Sequence, residues 1–186
     1  MYKNLVKIAL VTCLFCSCHN ENGVVQKVSN QDLKTQTLEL PVKAKDHAHL
    51  NTSGLLWKEL SDFINERPSG SKMILLDIYT QWCGYCKLMD KKTFSDQATQ
   101  KLLSDNFELI KFDAESRDSI DFKGKRYGWR SDGKKGIHEL AAELMDGKLS
   151  YPTLIFMDKD LKTIRVSRGY KNPSALTQEA EMALRI

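Results

Sequence analysis

The chain has 186 residues, 28 of them basic and 24 acidic, with 41% apolar content and a formal charge of +4. That length suits one core domain of about 100 to 150 residues plus an extension. Without the first eighteen residues, which hold Lys3 and Lys7 and no acid, the balance is 26 basic to 24 acidic side chains, too even for nucleic-acid binding or for electrostatic attachment to a membrane surface.

The start of the chain reads as a targeting segment. Two lysines precede the apolar run 8–15, which is too short to span a bilayer and has the form of a secretory signal. Phe15-Cys16-Ser17-Cys18 follows. It resembles the bacterial lipoprotein box, in which a small residue stands before the cysteine that is lipidated; the resemblance implies that residues 1–18 are the signal region, that Cys18 carries the lipid, and that the mature protein is exported and anchored to a bacterial membrane. Residues 19–51 are polar and suit a tether. Within it, 36–42 alternates weakly and is a candidate edge strand. His47 and His49 have no carboxylate or cysteine cluster beside them, and are read as solvated linker residues rather than metal ligands.

From residue 52 the pattern becomes regular. Leu56, Trp57, Leu60, Phe63 and Ile64 recur at helical spacing, with Thr52 or Ser53 as cap and Pro68-Ser69-Gly70 as the stop. Residues 73–79 form a near-continuous apolar strand of the kind buried on both faces. Its one charge, Asp77, is costly there unless paired, hydrated or protonated. Six residues before Cys83, it is placed to lie beneath the thiols that follow and to exchange a proton with Cys86 through water.

Trp82-Cys83-Gly84-Tyr85-Cys86-Lys87 opens the next helix. The first cysteine then sits where unpaired backbone N–H groups and the helix dipole favour negative charge, so a thiolate is stabilised. The spacing lets Cys86 reach Cys83 and resolve a mixed disulfide. A proline inside the motif would remove an amide; Tyr85 keeps its N–H, which favours the thiolate further. Of five cysteines, the other three are Cys13, Cys16 and Cys18, so this pair has only itself or a substrate as partner. Haem attachment of the C-x-x-C-H type needs histidine where Lys87 stands, and a zinc site needs a second cysteine pair. No metal or other cofactor is expected.

The helix continues through Leu88, Met89 and Lys92, and Ser95-Asp96 caps another that presents Ala98, Leu102 and Leu103 to the core. Residues 107–113 are the next strand. The stretch 115–136 is unusual, with seven basic residues, four acidic ones and four glycines around Tyr127 and Trp129. It reads as a surface insertion with a hairpin turning at Lys123-Gly124, anchored by the two aromatics and placed to rim the thiol and select substrates. Ile137, Leu140, Ala141 and Leu144 mark an amphipathic helix that also carries His138 and stops at Asp146-Gly147. Tyr151-Pro152-Thr153 precedes the strand 154–158; proline at the mouth of a core strand suggests a special turn with a cis bond. Residues 162–168 alternate with Ile164 and Val166 inward, Gly169-Tyr170 breaks the strand, and Asn172-Pro173 starts a last helix packing through Leu176, Ala180, Ala183 and Leu184.

This order of elements, with W-C-x-x-C-K, the acid six residues earlier and Y-P-T late in the chain, resembles the thioredoxin superfamily over 52–186. The resemblance implies an α/β fold, a three-layer sandwich with a central mixed sheet flanked by helices. It implies Cys83 as nucleophile, Cys86 as resolving thiol, Asp77 as the buried acid with Lys111 beside it, and Pro152 as the cis-proline opposite the thiols. Trp82, Lys87 and Tyr151 are supporting residues, and the backbone around Tyr151-Pro152 pairs with the substrate chain. Gly84-Tyr85 is similar to the pair in bacterial periplasmic disulfide isomerases. The expected function is a thiol-disulfide oxidoreductase, reductase or isomerase rather than oxidant, acting on exported proteins with thiols or disulfides. Its expected electron donor is a membrane protein such as a transmembrane thiol-disulfide reductase. The competing expectation is a non-catalytic lipoprotein that binds partners through a thioredoxin fold.

Overall fold

Three apolar strands alternate their burial between two faces, and that alternation sets the layers. The computed structural model describes residues 49–50, 53–66, 70, 72–131 and 136–186. The signal region with Cys18, the tether to residue 48 with His47 and the alternating stretch 36–42, the cap Thr52 and the stop Pro68-Ser69 lie outside those residues. In chain order the elements are β1 (His49–Leu50), β2 (Leu56–Glu59), α1 (Leu60–Glu66), β3 (Met73–Tyr79), α2 (Gly84–Lys92), α3 (Gln97–Asn106), β4 (Phe107–Asp113), β5 (Ile120–Phe122), β6 (Lys125–Tyr127), β7 (Trp129–Ser131), β8 (Gly136–His138), α4 (Glu139–Leu144), β9 (Thr153–Met157), β10 (Thr163–Arg168) and α5 (Pro173–Ala183).

The main sheet runs β1-β2-β4-β3-β9-β10. Strands β2, β4 and β3 are mutually parallel, β9 runs antiparallel to β3, and β10 antiparallel to β9. Ile74, Leu76 and Ile78 of β3, Ile110 and Phe112 of β4, and Ile155 and Met157 of β9 pack on one face with Leu60 and Phe63 of α1 and Leu140 and Ala141 of α4. The intervening Leu75, Phe107, Leu109, Leu154 and Phe156 pack on the other with Met89 of α2, Leu103 of α3, and Leu176, Ala180 and Ala183 of α5. A sheet with helices on both faces is the expected three-layer α/β sandwich. Asp77 falls on the second face, in phase with Leu75 and on the side of α2.

Several expectations need correcting. Leu56–Glu59 is a strand, not the first turn of a helix: Lys58 and Glu59 pair in parallel with Ile110 and Lys111. Burial alternates there with period two, Leu55 and Trp57 inside and Leu56 69% exposed, so pairing with β4 outweighed the i, i+3 spacing. The sheet also begins earlier than residue 52, because His49–Leu50 pairs with Leu56-Trp57 at its edge, within the stretch assigned to the tether. In α3 Leu102 and Leu103 face the core as expected, but the inward residue of the first turn is Thr99 and Ala98 is exposed; Asp96 caps the helix, its Oδ2 accepting Thr99 N–H at 2.9 Å, and that fixes the phase. Ile137 belongs to β8, not to α4. His138 ends β8 and caps α4, Nδ1 accepting Leu140 N–H at 3.2 Å. Leu184 at the end of α5 is 37% exposed, and Ile164 is only half-buried, beside a register shift between Thr163 and Arg165.

The insertion forms two small hairpins, β5-β6 and β7-β8. The first turns at Lys123-Gly124, both with positive φ (51° and 76°), the conformation a two-residue hairpin turn requires. Its Tyr127 is buried at 5% exposure.

Candidate active site

Strand β3 ends at Tyr79, and the four residues 80–83 carry the chain into α2. Cys83 N–H donates to Thr80 O at 3.1 Å, a turn that leaves Cys83 as the N-cap of α2 in extended conformation (φ −69°, ψ 106°). Its Sγ accepts Cys86 N–H at 3.0 Å. The amide that reaches the sulfur is therefore that of Cys86, not that of Tyr85 to which the sequence argument turned. The pair is closed as a disulfide, S–S 2.06 Å, and both cysteines are 4% exposed. Trp82 and Tyr85 flank it at 60% and 65% exposure.

Beneath the pair, the parallel register of β3 and β4 sets Asp77 directly beside Lys111. Lys111 Nζ donates to Asp77 Oδ2 at 3.1 Å and to Asp90 Oδ1 at 2.9 Å. Asp90 lies on α2 one turn beyond Cys86, so a single ammonium is shared between strand and helix. The rings of Tyr79, Trp57 and Phe94 surround it at 5.0, 5.1 and 5.8 Å, a cation–π cage that offsets part of its desolvation. Burial pushes the Asp77 carboxyl above its ordinary value; Lys111 opposes this, and the like charge of Asp90 adds to it. Burial opposes the charge on Lys111 as well, but Asp77 and Asp90 together hold its pKa above the usual lysine range. Asp77 Oδ1 is buried with no hydrogen-bond partner among the described residues. A raised carboxyl with one uncommitted oxygen is suited to take up and release a proton. Tyr79, Cys86, Asp90 and Lys111 line a polar cavity of about 260 Å³, large enough for several waters. Burial and nearby carboxylates push Tyr79 and Tyr151 up to about 12, so both stay neutral phenols at physiological pH.

The outer side of the pair is a groove. Trp82, Cys83, Tyr85, Tyr151, Ile137 and Leu149 line a space of about 560 Å³. Trp82 donates through Nε1 to Glu115 Oε1 at 3.0 Å and meets Tyr151 edge-on at 5.9 Å. The Tyr151-Pro152 bond is cis, as expected. Pro152 is buried, and its carbonyl accepts Gly169 N–H at 2.8 Å. Lys87 is exposed at the cavity side, and its amide donates to Cys83 O at 3.2 Å.

A family model for a thioredoxin-like domain matches residues 61–183. The chain belongs to the thioredoxin-like family. Among similar proteins, the thiol:disulfide interchange protein DsbD of Yersinia enterocolitica is 29% identical over 113 residues, 59% of this chain and 16% of that protein. DsbD of Escherichia coli K12 is 35% identical over 68 residues, 36% of this chain and 12% of that protein. The chain thus spans no more than 16% of the length of these relatives. A solved thioredoxin from Thermus thermophilus matches with a TM-score of 0.51 at 14% identity, over 70% of this chain and 87% of its own, a likeness of fold.

In this thioredoxin-like domain the structure brings Cys83, Cys86, Trp82 and Tyr151 to one end of the sheet, with Asp77 and Lys111 in the layer between β3, β4 and α2. Sequence reasoning missed Asp90 and the pairing of Trp82 with Glu115. Asp90 had a signal: it follows Cys86 by four residues and so shares its helix face. Glu115 had none, since its distance to Trp82 is set by the end of β4. Among the described residues there is no cluster of histidine, cysteine and acid able to hold a metal ion, and no helix is long and apolar enough to cross a membrane.

Proposed function

We infer that the protein is an exported, lipid-anchored thiol-disulfide oxidoreductase that acts on exported proteins as reductase or isomerase. The observation that carries this is the Cys83–Cys86 disulfide at the N-cap of α2, with the Cys86 amide on Cys83 Sγ. In the reduced protein the same amide and the helix N-terminus favour the Cys83 thiolate. That thiolate attacks a client disulfide, forming a Cys83–client mixed disulfide and releasing one client thiolate, which takes a proton from water. Cys86 then gives up its proton, with Asp77 as acceptor through water, and its sulfur attacks Cys83 Sγ. The second client thiolate leaves, the client has gained two electrons, and the pair is left as the disulfide seen here. A dithiol donor must return those electrons; similarity to thiol:disulfide interchange proteins supports a membrane protein of that class as the donor. In isomerisation the first released client thiolate, or another, attacks the mixed disulfide before Cys86 does, and no net electrons are transferred. Cys18 as lipid attachment site places the domain on a tether at the membrane.

The test is reduction of insulin by the purified chain with a dithiol reductant. Cys83→Ser should abolish it, and Cys86→Ala should accumulate client mixed disulfides. Unchanged insulin reduction by Cys83→Ser sinks the reading. Partner binding that persists with both cysteines replaced, without any trapped disulfide, supports the non-catalytic lipoprotein instead.

A further inference from the structure

The inserted segment supplies one wall of the Cys83 groove, and it is fixed from behind. Arg130 and Ile137 face each other across the β7-β8 pair, and both line the groove. With a side-chain period of two, Trp129 points to the opposite face. There its ring lies across Gly136, with the Arg117 guanidinium 4.5 Å from its centre. At the base of the hairpin His138 is fully buried. Its Nε2 meets Asp118 O at 2.9 Å, and its ring stands edge-on to Phe112 at 5.1 Å. These contacts seat the described strands of the hairpin against the domain, with Arg130 and Ile137 on the groove side.

Among the described residues, two charged side chains line the groove. Glu115 is committed to the Trp82 indole N–H, whereas Arg130 is exposed and makes no ion pair among the described residues. Beside Arg130 the surface is apolar, with Ile137 and the 54% exposed Leu149. A space of about 560 Å³ is about 10 Å across, the length of roughly three residues of extended chain.

We propose that the β7-β8 hairpin selects clients: Arg130 pairs with a carboxylate carried within about three residues of the client cysteine that bonds Cys83, while Ile137 and Leu149 hold an apolar neighbour. The proposal rests on the oxidoreductase reading and names its substrate class, extended segments with an acidic and an apolar side chain next to the cysteine.

The test uses the full chain and two disulfide-linked peptides, identical with leucine next to the cysteine but with glutamate or lysine two residues away. The ratio of kcat/KM, glutamate over lysine, should be about three to five for the wild type, the scale of one exposed ion pair. It should fall to about one in Arg130→Gln, invert in Arg130→Glu, and shrink in high salt. A wild-type ratio of one, a ratio that survives in both variants, or turnover of insulin but of neither peptide overturns the recognition rule alone. Failure on insulin as well as on both peptides overturns the oxidoreductase reading, and the rule with it.

Discussion

Two glycines eight positions apart in the insertion should respond very differently to a methyl group. A Cβ added at Gly136 would sit 1.8 Å from Trp129 Cζ2 and 2.1 Å from Cε2, whereas at Gly128 it would meet nothing within 4 Å. Ordinary carbon contacts lie at about 3.5 to 4.0 Å, so in Gly136→Ala the ring must retreat by roughly 1.7 Å or more. That movement disturbs the stacked Arg117 guanidinium, 4.5 Å from the ring centre. Losing that cation–π contact costs about 0.5 to 1 kcal/mol, and forcing the indole off its rotamer about as much again or slightly more. The sum, about 1 to 2.5 kcal/mol, lies in the usual range for overpacking. For a domain of this size that corresponds to a Tm lowered by roughly 4 to 10 °C. Gly128→Ala should stay within about 0.5 kcal/mol of the wild type. Scanning calorimetry of the two variants decides the matter, with amide exchange locating the weakened region at β7-β8. If both melt within about 1 °C of each other, the packing described for the hairpin is wrong.

Other outcomes follow from the charges beneath the thiols. Asp77→Asn should slow resolution of the mixed disulfide at neutral pH, on the order of a hundredfold, measured by stopped-flow release of the second client thiol; an unchanged rate and pH profile would remove Asp77 from the proton route. Because burial raises the Asp77 pKa, the stability contributed by its protonated form is complete below the ordinary carboxylate range and is lost as pH rises through the raised value. The oxidised Asp77→Asn protein should therefore gain on the wild type with rising pH, by at most about 1.4 kcal/mol per pH unit, and denaturant melts giving a constant difference would contradict this. Lys111→Met leaves Asp77 and Asp90 without their shared cation and should cost about 3 to 5 kcal/mol at neutral pH, a deficit that urea melts should show shrinking in acid as Asp77 is neutralised. His138 is held below the usual imidazole value, by burial first; its contribution is present above about pH 6.5 and lost as pH falls through the lowered value. The wild type should thus lose more stability than His138→Gln between pH 7 and pH 5, and equal losses would show that His138 does not titrate on unfolding.

The strands β3 and β4 were legible to the residue, because a near-continuous apolar run bounded by glycine or polar residues has few other uses. The cysteine pair, its place at a helix start and the proline at the mouth of β9 were legible for chemical reasons that depend on local sequence alone. Strand β2 was not: Leu56, Trp57 and Leu60 satisfy helical spacing, and only the available edge of β4 decides for a strand. Ile137 and His138 were drawn into α4 by the same spacing, although His138 is the residue whose side chain closes the helix start. Arg130 and Glu115 belong to the site through tertiary placement of an insertion, which periodicity does not encode. Asp90 lies between these cases, visible as an acid on the cysteine face of α2 but with its partner known only once β4 is beside it.

The outermost strands of the sheet also bear on how such a domain survives its work. Among the described residues, the last member on one side is the two-residue β1, His49–Leu50; on the other, β10 breaks register beside Thr163 and carries Arg165 and Arg168. Short, kinked or charged margins are poor templates for an incoming strand. If the domain exchanges disulfides with unfolded polypeptides, as proposed above, such margins give those chains little backbone to add to, so that they leave separately and do not accumulate on it as aggregates.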